Sequence, residues 1–184
     1  GWGARWVGEM MPREVTTSME EMFDVVDRSD MVVGRASREE VHRDGLLHRS
    51  THLLVFDSAG RVLLQKRSTS KDSFPGRWDS SVSGHVDSGE GYDECIVREA
   101  SEEIGIDLTE TPERLFKIDA CEETSQEFTW VYRTTSDGPF TPNEEEVIEI
   151  RWFTRDEVSR LLDTENERLS TALALVWRVL LEGL

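Results

Sequence analysis

The sequence predicts a single α/β domain built on a mixed β-sheet. Three observations carry this prediction. Short apolar, strand-like runs alternate along the chain with segments of helical periodicity. Several strands are separated only by tight turns, so antiparallel pairs must sit in the same sheet as longer connections. A length of 184 residues, 37% hydrophobic and 32% charged, suits one buried core rather than a disordered or fibrous chain.

Each element has a local reason. Residues 1–20 carry Trp2, Trp6 and Pro12 among scattered polar residues without periodicity, and read as a tail before a domain spanning 21–184. Residues 22–26 and 31–35 are short strand-like runs around a turn at 27–30. Ser37 followed three residues later by Glu40 is a capping-box signal, which predicts a short helix over 38–43. Apolar runs at 52–56 and 62–66 flank Asp57-Ser58-Ala59-Gly60, the turn of a hairpin. Phe74-Pro75-Gly76 marks a loop, and 78–86 reads as one strand. A helix is predicted over 92–104, then strands at 115–120, 128–133 and 147–153, with an acidic, turn-rich loop at 134–146.

A short helix at 155–162 and a longer one at 165–182 close the chain. On the longer one Leu169, Ala172, Leu173, Val176 and Leu180 form one stripe, but Leu175, Trp177, Val179 and Leu181 spread apolar surface beyond it. A helix apolar over so much of its circumference needs cover on two sides. The N-terminal segment with its tryptophans is one source of that cover, and a homodimer contact is the other.

Charge narrows the partners. A net charge of −17 repels a nucleic acid polymer over most of the surface, whereas a small phosphorylated molecule can bind where divalent cations neutralise it locally. No run approaches the about 18 consecutive apolar residues of a membrane span. No charged-then-apolar leader opens the sequence, so a cytoplasmic location is expected. Cys95 and Cys121 make neither a disulfide framework nor a metal-ligand spacing, and read as reduced and structural.

The chemistry concentrates between Gly84 and Ile106, GHVDSGEGYDECIVREASEEIGI. Gly91 can cap the helix, with Glu94 reaching back to its amide, and Gly105 supplies a left-handed stop. Ile96, Val97, Ala100 and Ile104 recur at spacings of three and four and face the core. Glu99, Glu102 and Glu103 crowd another side near the helix's negative end, where mutual repulsion and the helix dipole both oppose them. A hard divalent cation such as Mg²⁺, or Mn²⁺ in its place, would reverse that balance. Arg98 can pair with Glu102 one turn on or reach back to Glu90, and either fixes a carboxylate's direction.

This segment resembles the Nudix box, G-x5-E-x7-R-E-U-x-E-E-x-G-U, with Gly84, Glu90, Arg98, Glu99, Glu102, Glu103 and Gly105 at its fixed positions. Ala100, being small, is the one soft match. The resemblance implies an α/β/α sandwich with a mixed sheet and a loop-helix-loop, and a Mg²⁺-dependent pyrophosphohydrolase acting on a small-molecule diphosphate. Glu99, Glu102 and Glu103 would hold the metal. Glu103 is the first choice for general base, with Glu127 and the run 144–146 as alternatives.

Over about 22–154, HRSTHLLVF, LLQKR and KDSFPGRWD are similar to the Nudix branch that includes isopentenyl diphosphate isomerase and its hydrolase relatives. That likeness implies a diphosphate-binding role for Arg67 and Lys71, in a chain with only three lysines, and places Gly84 and His85 at the substrate. The isomerase itself carries a cysteine where this chain has Ser83, and a hydroxyl lacks thiolate-like acidity. Its histidine-rich metal site is matched at His48, His85 and Glu127. Ser125 stands in place of a second glutamate and Val41 in place of a third histidine, with His42 adjacent, so that metal site is expected to be incomplete. A non-catalytic ligand-sensing domain is a further alternative, although such domains usually lose box acids and all four glutamates are kept here. Phe74, Trp78, Trp130, Tyr132 and Phe140 are the aromatic candidates for recognising a nucleobase.

Overall fold

The structure, a computed structural model, describes residues 20–71 and 73–183. The predicted tail therefore falls almost wholly outside the described residues.

The first described elements are a hairpin, β1 (Met22–Val26) and β2 (Val32–Ser37), followed by helix α1 (Arg38–Asp44). The predicted cap is present: the Ser37 hydroxyl accepts from Glu40 N at 3.2 Å and donates to the Glu40 carboxylate at 3.1 Å. Gly45 ends the helix in the left-handed region.

A seven-stranded mixed sheet follows, centred on β3 (His48–Phe56). It runs parallel to β8 (Glu127–Thr135), with His48 opposite Glu127, and β8 pairs antiparallel with β7 (Glu113–Ile118). On its other edge β3 meets β4 (Val62–Arg67) only at Val55↔Leu63 and Phe56↔Val62, and then the two strands diverge. Strand β9 (Val147–Phe153) lies antiparallel against β4.

The opening between β3 and β4 is filled by the segment expected as a single strand over 78–86. It is two strands: β5 (Trp78–Asp79) pairs with β4, and β6 (Val82–His85) pairs with β3. One strand cannot follow two diverging neighbours, so the chain switches between them at Ser80-Ser81. The buried Ser81 hydroxyl accepts from Val55 N at 2.8 Å and donates to Leu63 O, which satisfies backbone groups that the divergence leaves unpaired.

Alternate residues of β3 face opposite layers. Leu53 and Val55 pack under helix α2 (Tyr92–Ile104) with its Ile96, Ala100 and Ile104. Leu54 and Phe56 pack on the other face against α3 (Arg155–Thr164) and α4 (Thr171–Gly183). The layers make the expected α/β/α sandwich.

The predicted helix 165–182 is a 3₁₀ turn (Asn166–Arg168) and then α4, broken at Leu169-Ser170. Leu169 forms a strand-like bridge with Trp78, which the helical backbone cannot do, and Ser170 restarts the helix by accepting from Leu173 N at 3.0 Å. The wide apolar circumference of α4 is covered from within the chain: Leu173, Val176, Trp177 and Leu180 are buried, Leu175 and Val179 pack on the same core, and Leu181 stays exposed. The sheet and α3 thus supply most of the cover that α4 needs. Among the described residues no helix is long and apolar enough to cross a membrane.

Candidate active site

The box folds as strand, loop and helix. Gly91 starts α2 without a side-chain cap bond, having no side chain to offer, and Gly105 stops it at φ 69°. A side chain at Gly105 would also strike Thr141 of the following loop, 2.9 Å from its Cβ. Burying Ile96, Ala100 and Ile104 against the sheet turns Glu99 and Glu103 toward the edge of β6, where a cavity of about 540 Å³ opens.

Glu103 is not a surface acid: it is 5% exposed, and its Oε1 accepts from Gln65 Nε2 at 2.6 Å and Ser83 N at 3.2 Å. Glu99 is nearly as enclosed, with 14% of its side chain exposed, whereas Glu102 stays open to solvent at 56%. Burial, then the adjacent Glu99 charge, pushes the Glu103 carboxyl well above the usual carboxylate range. Burial raises Glu99 too, against the opposing pull of Arg98. The two carboxyls are neighbours, and each acts on the ionisation of the other.

The sequence left Arg98 with two alternatives, and the structure realises both. Its guanidinium binds both oxygens of Glu90 at 2.7 and 2.9 Å, and reaches Glu99 at 2.8 Å and Glu102 at 3.2 Å. It thereby ties the box loop to the helix carboxylates.

Arg67 and Lys71 line the cavity across from the box, each beside an acid. Arg67 donates to Asp79 Oδ2 at 3.1 Å and to Ser73 O at 2.9 Å, while Lys71 lies 3.4 Å from Glu146. Within the run 144–146 only Glu146 lines the cavity; Glu144 and Glu145 are exposed. The buried Asp79 also accepts from the hydroxyls of Ser83 at 3.2 Å and Ser170 at 3.0 Å. Asp79 carries no signature in the sequence, because its partners come from distant elements. Of the aromatic candidates only Phe74 lines the cavity. Trp78 and Tyr132 are buried in the core, Trp130 lies under the Arg114 guanidinium and Phe140 packs on Trp152.

A second group of donors lies at the same cavity, three of its four members lining it. His42, His48, His85 and Glu127 offer ligand atoms that all lie within 4.8 Å of one another. The third imidazole comes from position 42 rather than 41, since Val41 turns into the core beneath α1 and His42 lines the cavity; Ser125, also at the cavity, still stands where a second glutamate would complete the set. His48 Nδ1 lies 2.8 Å from Leu46 O, and since a carbonyl can only accept, that nitrogen carries the hydrogen. Its buried Nε2 is left without a hydrogen-bond partner, 3.4 Å from Glu127 Oε2. Burial opposes ionisation of Glu127, yet His85 and His48 hold its carboxyl below the usual range. Three imidazoles and one carboxylate would hold a borderline ion such as Zn²⁺ better than Mg²⁺. Neither cysteine belongs to either group. Cys95 is buried against Thr51, with burial pushing its thiol up, and Cys121 lies beside Thr124; both are free thiols.

The NUDIX domain family matches residues 46–175, which takes in the sheet from β3 onward, the box, α3 and the start of α4. The chain belongs to the Nudix family. It is 35% identical over 158 residues to a Yersinia pestis protein described as an uncharacterized Nudix hydrolase, covering 84% of this chain and 85% of that one. It is likewise 35% identical to the Escherichia coli K12 Nudix hydrolase YfcD, covering 84% and 86%. A Deinococcus radiodurans structure, DR0079, superposes with a TM-score of 0.75 at 29% identity over 86% of this chain and 98% of that one.

The Nudix fold implies a divalent cation at the box, and the residues present fit one. Hard oxygen donors are gathered in an enclosed place that charge repulsion alone disfavours. Glu99 also packs so closely on Gly84 that a Cβ there would lie 2.7 Å from its Oε1.

Proposed function

We propose that this Nudix protein is a Mg²⁺-dependent hydrolase that cleaves a diphosphate linkage in a small molecule, with nucleoside diphosphate derivatives the class to test first. The observation that carries this reading is the gathering of Glu99, Glu102 and Glu103 at one cavity, the first and last largely buried, with Arg98 clamped on Glu99 and Glu102. Such a cluster weakens a fold by itself, and ligation of a hard cation is the use that offsets the cost.

In this reading Glu99, Glu102 and Glu103 are the ligands. Bound there, Mg²⁺ or Mn²⁺ supplies charge neutralisation and Lewis acidity to the diphosphate. The chain's own groups do the rest. Arg67 and Lys71, steadied by Asp79 and Glu146, present positive charge to non-bridging oxygens. Glu103, anchored by Gln65 and Ser83, accepts the proton of the attacking water, and Glu127 across the cavity is the alternative acceptor. Arg98 directs Glu99 and Glu102. Gly84 leaves the space that Glu99 occupies, and His85 lines the cavity beside it.

The imidazole cluster favours one second reading, an isomerase of an allylic diphosphate. Ser83 stands against it, since its hydroxyl is committed to Asp79 and is a poor proton donor to carbon.

A panel of nucleotide sugars, dinucleotides, oxidised nucleotides and isopentenyl diphosphate, assayed with Mg²⁺, Mn²⁺ and EDTA, tests these readings. Cleavage that requires the cation and disappears in Glu103→Gln supports the hydrolase. Cation binding without any cleavage overturns it in favour of a ligand-sensing domain. Isomerised isopentenyl diphosphate would establish the second reading instead.

A further inference from the structure

The family match begins at residue 46, so the β1–β2 hairpin and α1 lie outside it. This added unit nevertheless grips the box loop. Ser88 N donates to Met22 O at 2.8 Å, and Phe23 bridges Asp87 in antiparallel fashion. Asp24, on β1 and only 8% exposed, accepts from the Ser88 hydroxyl at 2.9 Å with one oxygen and from Gly89 N at 3.1 Å with the other.

Those two residues sit in the turn that presents Glu90. Glu90 N donates to Asp87 O at 2.9 Å, and the Glu90 carboxylate returns the bond by accepting from Asp87 N at 3.1 Å. The same carboxylate holds Arg98 by two bonds, and Arg98 holds Glu99 and Glu102. Gly89 stands at φ 81° with open space around its Cα, so its conformation rather than crowding requires glycine, and Asp24 is the side chain that grips its amide.

The far end of the hairpin is anchored independently. Asp30 accepts from Arg49 of β3 at 2.7 Å, Tyr92 of α2 at 2.7 Å and Lys117 of β7 at 2.6 Å. The hairpin is therefore tied to the domain at one end and to the box loop at the other, a buttress rather than an appendage.

We propose that Asp24 is a positioning residue for the box, setting the Glu90 turn and through Arg98 the direction of Glu99 and Glu102. The inference rests on the reading of those glutamates as cation ligands. Arg98 is the direct outer partner of those ligands. Removal of such partners changes metal affinity by about 10- to 100-fold, and Asp24, acting through Arg98, should reach the lower end of that range.

The test is Mn²⁺ binding to the full chain, followed by electron paramagnetic resonance and counting only the bound Mn²⁺ that excess Mg²⁺ displaces, which separates the oxygen site from the imidazole cluster. Asp24→Asn keeps the shape and removes one acceptor; Ser88→Ala removes one bond from the loop side and leaves β1 intact. Melting temperatures are recorded alongside. The expected result is a dissociation constant about tenfold higher in Asp24→Asn and at least a few-fold higher in Ser88→Ala, with both variants folded. Wild-type affinity in both folded variants overturns the role of Asp24. If Asp24→Asn does not fold, Ser88→Ala alone decides. Absence of Mg²⁺-displaceable binding in the wild type overturns the cation reading of the box, and the proposal with it.

Discussion

Glu99 occupies the space where a side chain on Gly84 would be: a Cβ there would lie 2.5 Å from Glu99 Cγ and 2.7 Å from its Oε1. The glycine that opens the box is thus required by a neighbour on the helix. Gly84→Ala must push the carboxyl off Arg98 or away from Glu103. The half-saturating Mg²⁺ concentration should rise about tenfold, while the melting temperature moves by less than about 3 °C. A metal titration of activity beside a thermal melt checks both, and an unchanged Mg²⁺ requirement would show that Glu99 relocates without consequence.

Glu103→Gln keeps the shape and the ability to accept from Gln65 and Ser83, but loses the charge. Turnover should fall by about 10²–10⁴-fold. Stability should hold, because an amide in that buried place has no repulsion from Glu99. Steady-state kinetics and urea unfolding measure the two effects, and a variant that is active but unstable would reverse the assignment.

Ser81 joins two strands that have parted. Ser81→Ala strands Val55 N and Leu63 O in the core, and should cost about 2–3 kcal/mol. Urea denaturation gives the number. A loss below about 0.5 kcal/mol would mean that a water or a local shift replaces the hydroxyl.

Asp30 sets an acid limit on hairpin docking. Burial works against its ionisation, but bonds from Arg49, Lys117 and Tyr92 prevail and hold its carboxyl below the usual range. A lowered carboxylate contributes stability in full above its unfolded pKa of about 3.9, and that contribution is lost as the pH falls through the folded value beneath it. Asp30→Asn should therefore be less stable than wild type by about 2 kcal/mol at neutral pH, with the deficit shrinking only on strong acidification. Unfolding curves from neutral pH down to the acid limit test the sign, and a deficit that grows toward low pH would contradict it.

The box helix, its two glycine ends, its buried stripe and the acids available to it were legible in the sequence, because helical periodicity and capping are local and leave a pattern in neighbouring residues. The α/β class was legible for the same reason. Glu99 and Glu102 could be named as a charged cluster, but not that Glu103 is the buried member, since that depends on Gln65 of β4 and Ser83 of β6. The switch of 78–85 between two strands, the break before α4 and the arrival of His42 rather than residue 41 beside His48 and His85 had no local signature. Each follows from how separated strands diverge or how a helix is rotated on the core. The sequence by itself determined the chemistry on offer: clustered carboxylates, a clamping arginine, the cations Arg67 and Lys71, and four imidazoles. Only the tertiary structure decided which of them meet, because burial, strand divergence and the docking of β1 on the box loop are settled by packing between residues far apart in the chain.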